Sequence, residues 1–205
     1  MQDEELRGKS LFFLFLVNIF IYEKKIECAP VDTMGCSKLS EELDEKTKRY
    51  QTLISLMLSS QTKDTMTAKA MEKLRKHGLT VKEILDTEEE KISELIHGVS
   101  FHKRKATYIK KASKILKDQY DCDIPPTLKE VVKLPGVGPK MGHLLMTHAW
   151  GKTEGIGVDV HVHRISNRLN WVKSKTPEET RVQLEKWLPR ELWVCLSHSF
   201  FLAVF

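Results

Sequence analysis

The sequence predicts an all-α protein, and three observations carry that prediction. From about Glu41 onward apolar residues recur at helical spacing, four Thr-x-x-Glu boxes mark helix starts, and almost nothing alternates with period two. At 205 residues, 41% apolar and 30% charged, the chain is long enough to bury a core. That composition excludes the disordered, collagen-like and polytopic membrane classes.

The elements follow in order. Leu11 to Tyr22 (LFFLFLVNIFIY) is strongly apolar, but its twelve residues fall short of the ~20 that span a bilayer. Asp3, Glu4 and Glu5 outnumber Arg7 and Lys9 ahead of it and no small-residue cleavage pattern follows, which argues against a secretory signal. Leu53, Ile54, Met57 and Leu58 define the inner face of the first helix, and Thr80/Glu83 and Thr87/Glu90 start two more. Tyr108, Ile109, Ala112, Ile115 and Leu116 line one face of a long amphipathic helix. Thr127/Glu130 opens a helix ending at Lys133, and after the turn Leu134-Pro135-Gly136-Val137-Gly138 a second starts at Pro139, with Met141, Leu144 and Leu145 inward. Val162, Ile165 and Leu169 mark another, and Thr176/Glu179, with Pro177 in the first helical position, starts the last. Short connectors without repeats give a compact array of nine or ten helices.

Net charge is +5, yet the first fifty residues carry −2 and the other 155 carry +7, so basicity belongs to the folded part. It is densest at Lys103, Arg104, Lys105, Lys110, Lys111, Lys114 and Lys117, which reads either as a solvated helix face or as a surface for an acidic partner. Cys28, Cys36, Cys122 and Cys195 form no CxxC pair and no ladder of short spacings, so neither a zinc site nor a secreted disulfide framework is indicated.

Helix, glycine turn, helix is the most informative pattern. Gly136 and Gly138 flank one hydrophobe, Val137, which can pack inward while the backbone N–H groups at the next helix start suit a phosphate oxygen. An ordinary αα-hairpin uses glycines for turning alone. Lys140 falls in the first turn of that helix, where the positive end of the macrodipole disfavours an ammonium. A neutral amine is what a Schiff-base nucleophile needs, while a phosphate-contacting or merely exposed lysine also fits the position. Nineteen residues later Asp159 stands where an N-cap would, and the same hydrogen bonds that cap a helix hold a carboxylate ionised and aimed.

LPGVGPKMGHLLM with Lys140, VDVHVHRISNRL with Asp159, and LISLMLSSQTKD at Leu53 to Asp64 together resemble the endonuclease III family, especially its eukaryotic thymine-glycol glycosylases. The resemblance runs from about Tyr50 to Trp193, with APVDTMG at Ala29 to Gly35 as a weaker extension. It implies a helix-hairpin-helix DNA glycosylase fold: a divergent segment over 1–41, a six-helix domain over 42–153 and a partial second helical lobe over 154–205. It also implies a bifunctional DNA glycosylase and abasic-site lyase that removes oxidised pyrimidines from damaged double-stranded DNA in base-excision repair. Lys140 would be the nucleophile and Asp159 the carboxylate that stabilises developing positive charge.

By the same resemblance Gln61 enters the gap left by the flipped base, although alone it reads as a polar residue at a helix end. Phe101, with Val99 and His102, falls in a wedge loop, with a buried phenylalanine as the other reading. Lys103, Arg104 and Lys105 gain a reason to face phosphates, and Gly136, Val137 and Gly138 form the DNA-binding hairpin. No membrane association and a monomer are expected, in the nucleus or the mitochondrion.

The sequence also departs from the family. The spacing C-x6-C-x2-C-x5-C that holds a [4Fe–4S] cluster does not occur, so no cofactor and no metal ligands are expected, and the chain reads as truncated before that motif. The alternative reading is a non-catalytic DNA-binding or regulatory fragment. Val160 replaces the usual threonine after the aspartate, and Ser100 a common glycine in the wedge loop.

Overall fold

A computed structural model describes residues 44–199, which fall into two compact units, 44–152 and 153–199. The apolar run Leu11–Tyr22, the segment Ala29–Gly35, Cys28, Cys36 and the tail ending at Phe205 lie outside the described residues. The described residues form ten α-helices and one 3-10 turn and contain no strand.

In the first unit, α1 (Glu45–Ser59) starts at Asp44, whose carboxylate accepts the Thr47 N–H at 2.6 Å. Its stripe of Tyr50, Leu53, Ile54, Met57 and Leu58 is buried as the spacing requires. α2 (Asp64–His77) stops at Gly78, where φ is +118° and a β-carbon would strike the Glu83 carboxylate. α3 (Val81–Asp86) carries the full capping box: Thr80 accepts the Glu83 N–H while Glu83 accepts the Thr80 N–H at 2.9 Å.

The second expected box does not form. Thr87 closes α3 instead, its hydroxyl donating to the Glu83 carbonyl at 2.7 Å, and α4 (Glu89–Leu95) starts from Glu88 without a side-chain cap. With only Thr87 and Glu88 between two short helices, the threonine serves the end that precedes it. At Thr127 the hydroxyl bonds to the Glu130 carboxylate at 2.6 Å and caps no backbone N–H.

α5 (His102–Tyr120) packs on α3 and α4, and α1 packs on α2 and on α7 (Pro139–Trp150). Tyr50 on α1 and Ser113 on α5 join hydroxyls at 2.6 Å in the core. The one-turn α6 (Leu128–Val131) ends two residues before Lys133, because the last turn tightens: Leu134 N–H donates to the Val131 carbonyl at 3.1 Å.

One lysine of α5 does not belong to the exposed basic face. Lys105 is buried, at 7% exposure, whereas Lys103, Arg104, Lys111, Lys114 and Lys117 are exposed. Lys105 stands four residues before Ile109 and seven before Ala112, both fully buried, so helical geometry turns it inward.

The second unit has its own core of Ile156, Val158, Val162, Trp171, Val172, Leu184, Leu188 and Leu196. It comprises α8 (Val160–Arg168), α9 (Pro177–Glu185), the 3-10 turn Arg190–Leu192 and α10 (Trp193–Ser199). Thr176 caps α9 by accepting the Glu179 N–H at 3.2 Å, with Pro177 at its first position. Leu169, expected in the core, is exposed: α8 ends one residue short of it, and after Asn170 turns left-handed the inward places go to Trp171 and Val172.

Candidate functional site

Three loops of the first unit hang on the N-terminal half of α5. Phe101 precedes the helix, Lys105 reaches the loop after α1, and Tyr108 lies beneath the glycine turn. Seven residues of helix span about 10 Å, so one rigid element sets all three.

The glycine turn is built as its sequence requires. Val137 is inward, at 7% exposure, and its N–H donates to the Leu134 carbonyl at 3.1 Å. Gly136 has φ +83°, and a β-carbon there would lie 2.8 Å from Tyr108 Cδ2. Gly142, one turn into α7, could not carry a β-carbon either: it would meet Val132 Cγ1 at 2.8 Å and Leu128 Cδ1 at 2.9 Å, so α6 and α7 cross in contact.

Gly138 differs from both. Its backbone is extended, at φ −93°, and nothing lies within 4 Å of the place a β-carbon would take. The fold does not require glycine there. The bare backbone faces outward at the start of a twelve-residue helix whose N-cap offers no side-chain hydrogen bond. The N–H groups at the N-terminus of a helix attract anions. Lys140 is half-buried in the first turn of this helix.

Gln61 and Phe101 share an unusual backbone. Gln61 has φ +54° and Phe101 φ +57°, the left-handed region that costs a non-glycine residue roughly 1–2 kcal/mol. Both side chains are exposed, Phe101 at 62%, so the reading of Phe101 as a core residue is set aside. Val99 behaves oppositely: it is buried and anchors the loop in the core. His102 is held by Ser93, whose Oγ lies 2.9 Å from Nδ1, and Lys103 is exposed beside Phe101. Ser100, unlike Phe101, is not left-handed, and its N–H donates to Thr62 Oγ1 at 3.2 Å.

The structure thus brings Gln61, Phe101 and Lys103 to neighbouring loops and the Gly136–Lys140 segment to the same helix. Lys105 is not a surface cation. Its ammonium donates to the Leu58 carbonyl at 2.8 Å, the Ser60 carbonyl at 2.6 Å and Thr62 Oγ1 at 3.2 Å. Burial pushes it down to about 8. Thr62 and Lys105 tie together the loops that carry Gln61 and Phe101, and sequence reasoning missed the first and misplaced the second. The spacing of Lys105 from Ile109 and Ala112 was the available signal.

Asp159 lies in the second unit, where it caps α8. One carboxylate oxygen accepts the His161 N–H at 3.0 Å and the Val162 N–H at 2.8 Å. The buried segment before it is pinned at two points: Ile156 N–H donates to Glu185 at 2.9 Å and Gly157 N–H to Ser197 Oγ at 2.8 Å. Those bonds fix the backbone from which Asp159 projects. Val160 is exposed, at 66%, and makes no part of the cap.

A [4Fe–4S] cluster requires four thiolates placed together. The sequence has four cysteines, at 28, 36, 122 and 195, and among the described residues no group of three or more histidines, cysteines or carboxylates is placed to hold a metal ion. The described residues supply no such set of thiolates. No helix among the described residues is long and apolar enough to cross a membrane.

Comparison with known proteins agrees with this geometry. The model of the HhH-GPD superfamily of base excision DNA repair proteins matches residues 54–190. The chain is 54% identical over 181 residues to mouse endonuclease III-like protein 1, covering 87% of this chain and 60% of that protein. It is 41% identical over 189 residues to the endonuclease III homolog of Encephalitozoon cuniculi, covering 86% of this chain and 78% of that one. The chain therefore spans about three fifths of the mouse protein's length. Among solved structures, a trapped endonuclease III–DNA covalent intermediate superposes with a TM-score of 0.69 at 28% identity, covering 83% of this chain and 80% of that chain. A match that runs from the buried stripe of α1 through the glycine turn to the capped aspartate and beyond leaves one assignment: the chain belongs to the HhH-GPD superfamily of base excision DNA repair proteins, within its endonuclease III branch.

Proposed function

We propose that the chain is a DNA glycosylase and abasic-site lyase that removes oxidised pyrimidines from double-stranded DNA. The observation that carries the reading is the start of α7, where Lys140 stands two residues after a glycine that the fold itself does not need. A residue kept bare where nothing inside the protein opposes a side chain fits close approach of an outside backbone. An uncapped helix N-terminus supplies the N–H groups for its phosphate. The mouse and Encephalitozoon relatives are named for endonuclease III, and the superposed structure is a covalent complex with DNA.

In this reading the damaged nucleotide leaves the stack, and Gln61 and Phe101 occupy the opened space. The Lys140 amine, in its neutral form, bonds to C1′ as the C1′–N bond breaks. The base departs with that electron pair and takes up a proton. Ring opening gives an imine between Lys140 and C1′, which acidifies C2′. Loss of a C2′ proton expels the 3′ phosphate, and water then hydrolyses the imine to free the lysine. The Asp159 carboxylate, aimed by two backbone N–H groups, stabilises the positive charge that develops at C1′ and persists on the imine. A DNA substrate supports a location in the nucleus or the mitochondrion.

A 5′-labelled duplex with one thymine glycol tests this. The expected product is a strand cut 3′ to the lesion with an unsaturated sugar end, absent with Lys140→Ala. Salt-dependent binding that ignores the lesion and yields no cut would instead support a non-catalytic DNA-binding chain.

A further inference from the structure

We propose that Lys105 is a positioning residue that fixes the separation of the two exposed tips, Gln61 and Phe101, by acting through Thr62. The proposal rests on the reading of those tips as side chains that enter opened duplex.

Three neutral oxygens take the Lys105 ammonium: two carbonyls, of Leu58 and Ser60, and the Thr62 hydroxyl. A buried ammonium held by two carbonyls and a hydroxyl, all neutral, destabilises a core that an apolar chain of similar length would fill. Filling space therefore does not explain it. Its acceptors do: the carbonyls belong to the C-terminal end of α1, which has no intrahelical donors left and is the negative end of the macrodipole. Holding both carbonyls turns the chain sharply, and the next residue is Gln61 at φ +54°.

Thr62 completes the tie. Its hydroxyl accepts from Lys105 and from the Ser100 N–H, each at 3.2 Å, and donates to the Ser60 carbonyl at 3.3 Å. Gln61 immediately precedes Thr62, and Phe101 immediately follows Ser100. Two loops 38 residues apart are thus joined one residue behind each tip. Both tips keep a left-handed backbone that neither residue type favours, which requires surrounding bonds to hold it. A duplex rises about 3.4 Å per base pair, so two wedges that drift by an ångström or two lose register with the gap.

The test uses the full chain with Lys105→Met, which keeps the stem; Thr62→Val, which keeps the shape; and Lys105→Arg as the conservative variant. Unfolding transitions verify folding, and Thr62→Val carries the test alone if Lys105→Met does not fold. Two readouts need no chemistry: amide exchange at Ser100, and fluorescence of 2-aminopurine placed next to an abasic site in a duplex at saturating protein. We expect Ser100 exchange to quicken at least tenfold in Lys105→Met and Thr62→Val, and most of the fluorescence gain to vanish. Lys105→Arg restores part of that gain. Borohydride trapping on a single-stranded abasic oligonucleotide, which has no stack to open, stays within threefold of the unmodified chain. Unchanged fluorescence in both variants overturns the proposal, as does single-strand trapping that falls in step with the duplex signal. If the unmodified chain traps on neither substrate while exchange and fluorescence behave as stated, the lyase reading fails and the tie stands.

Discussion

The Tyr108 ring occupies the space that a β-carbon on Gly136 would need, 2.8 Å from where that carbon would sit. The neighbouring glycine of the same turn, Gly138, has nothing within 4 Å. One glycine therefore serves the fold and the other serves what lies outside it.

Alanine separates the two. Gly136→Ala combines a left-handed backbone with a clash and should cost about 2–4 kcal/mol, read as a lowered midpoint in urea. Gly138→Ala meets no clash and loses only the N-cap preference for glycine, so it should cost no more than about 1 kcal/mol, yet weaken duplex binding in fluorescence anisotropy. Equal losses of stability in both would contradict the division.

Asp159 carries a capping role and a charge, and two substitutions divide them. Asn caps as well as Asp, so Asp159→Asn should leave stability within about 0.5 kcal/mol while Asp159→Ala loses about 1 kcal/mol. Both remove the carboxylate, so both should slow base release by ten- to a thousandfold in single-turnover assays, the range typical for loss of one electrostatic stabiliser. Full activity in Asp159→Asn would reduce the residue to a cap.

Acid stability is set in part by Asp123. Burial alone would raise its carboxyl, but hydrogen bonds from the Arg49 guanidinium and the Ile124 N–H outweigh burial and hold it below the ordinary value of 3.8. A depressed folded value means that this contribution is complete above about pH 4 to 5 and is lost as pH falls through the folded value. Melting temperatures from pH 7 to pH 3 should show Asp123→Asn less stable at pH 7, with the gap narrowing below pH 4. A constant gap would contradict the assignment.

What could be read from the sequence was what is local. The glycine turn, the inward Val137, the cap at Asp159 and the box at Thr80 each depend on residues within a few positions, and each appears where expected. Thr87 misled because a two-residue connector lets its side chain finish one helix while Glu88 starts the next. Lys105 was grouped with its basic neighbours by charge density, although its spacing from Ile109 and Ala112 placed it on the buried face. The Thr62–Ser100 bond could not be read at all, since it joins loops 38 residues apart that meet only after α1 and α5 have packed. The close crossing of α6 and α7 at Gly142 is likewise a product of packing, with no local signature beyond the glycine itself.

The central claim is that Lys140 forms an imine with the sugar, and reduction captures that bond directly. The 205-residue chain, incubated with borohydride and a duplex bearing one abasic site, should give a covalent adduct that digestion and mass spectrometry place on Lys140 and that Lys140→Ala does not form. A folded, DNA-binding chain that yields no adduct, or an adduct mapped to another lysine, would contradict the account.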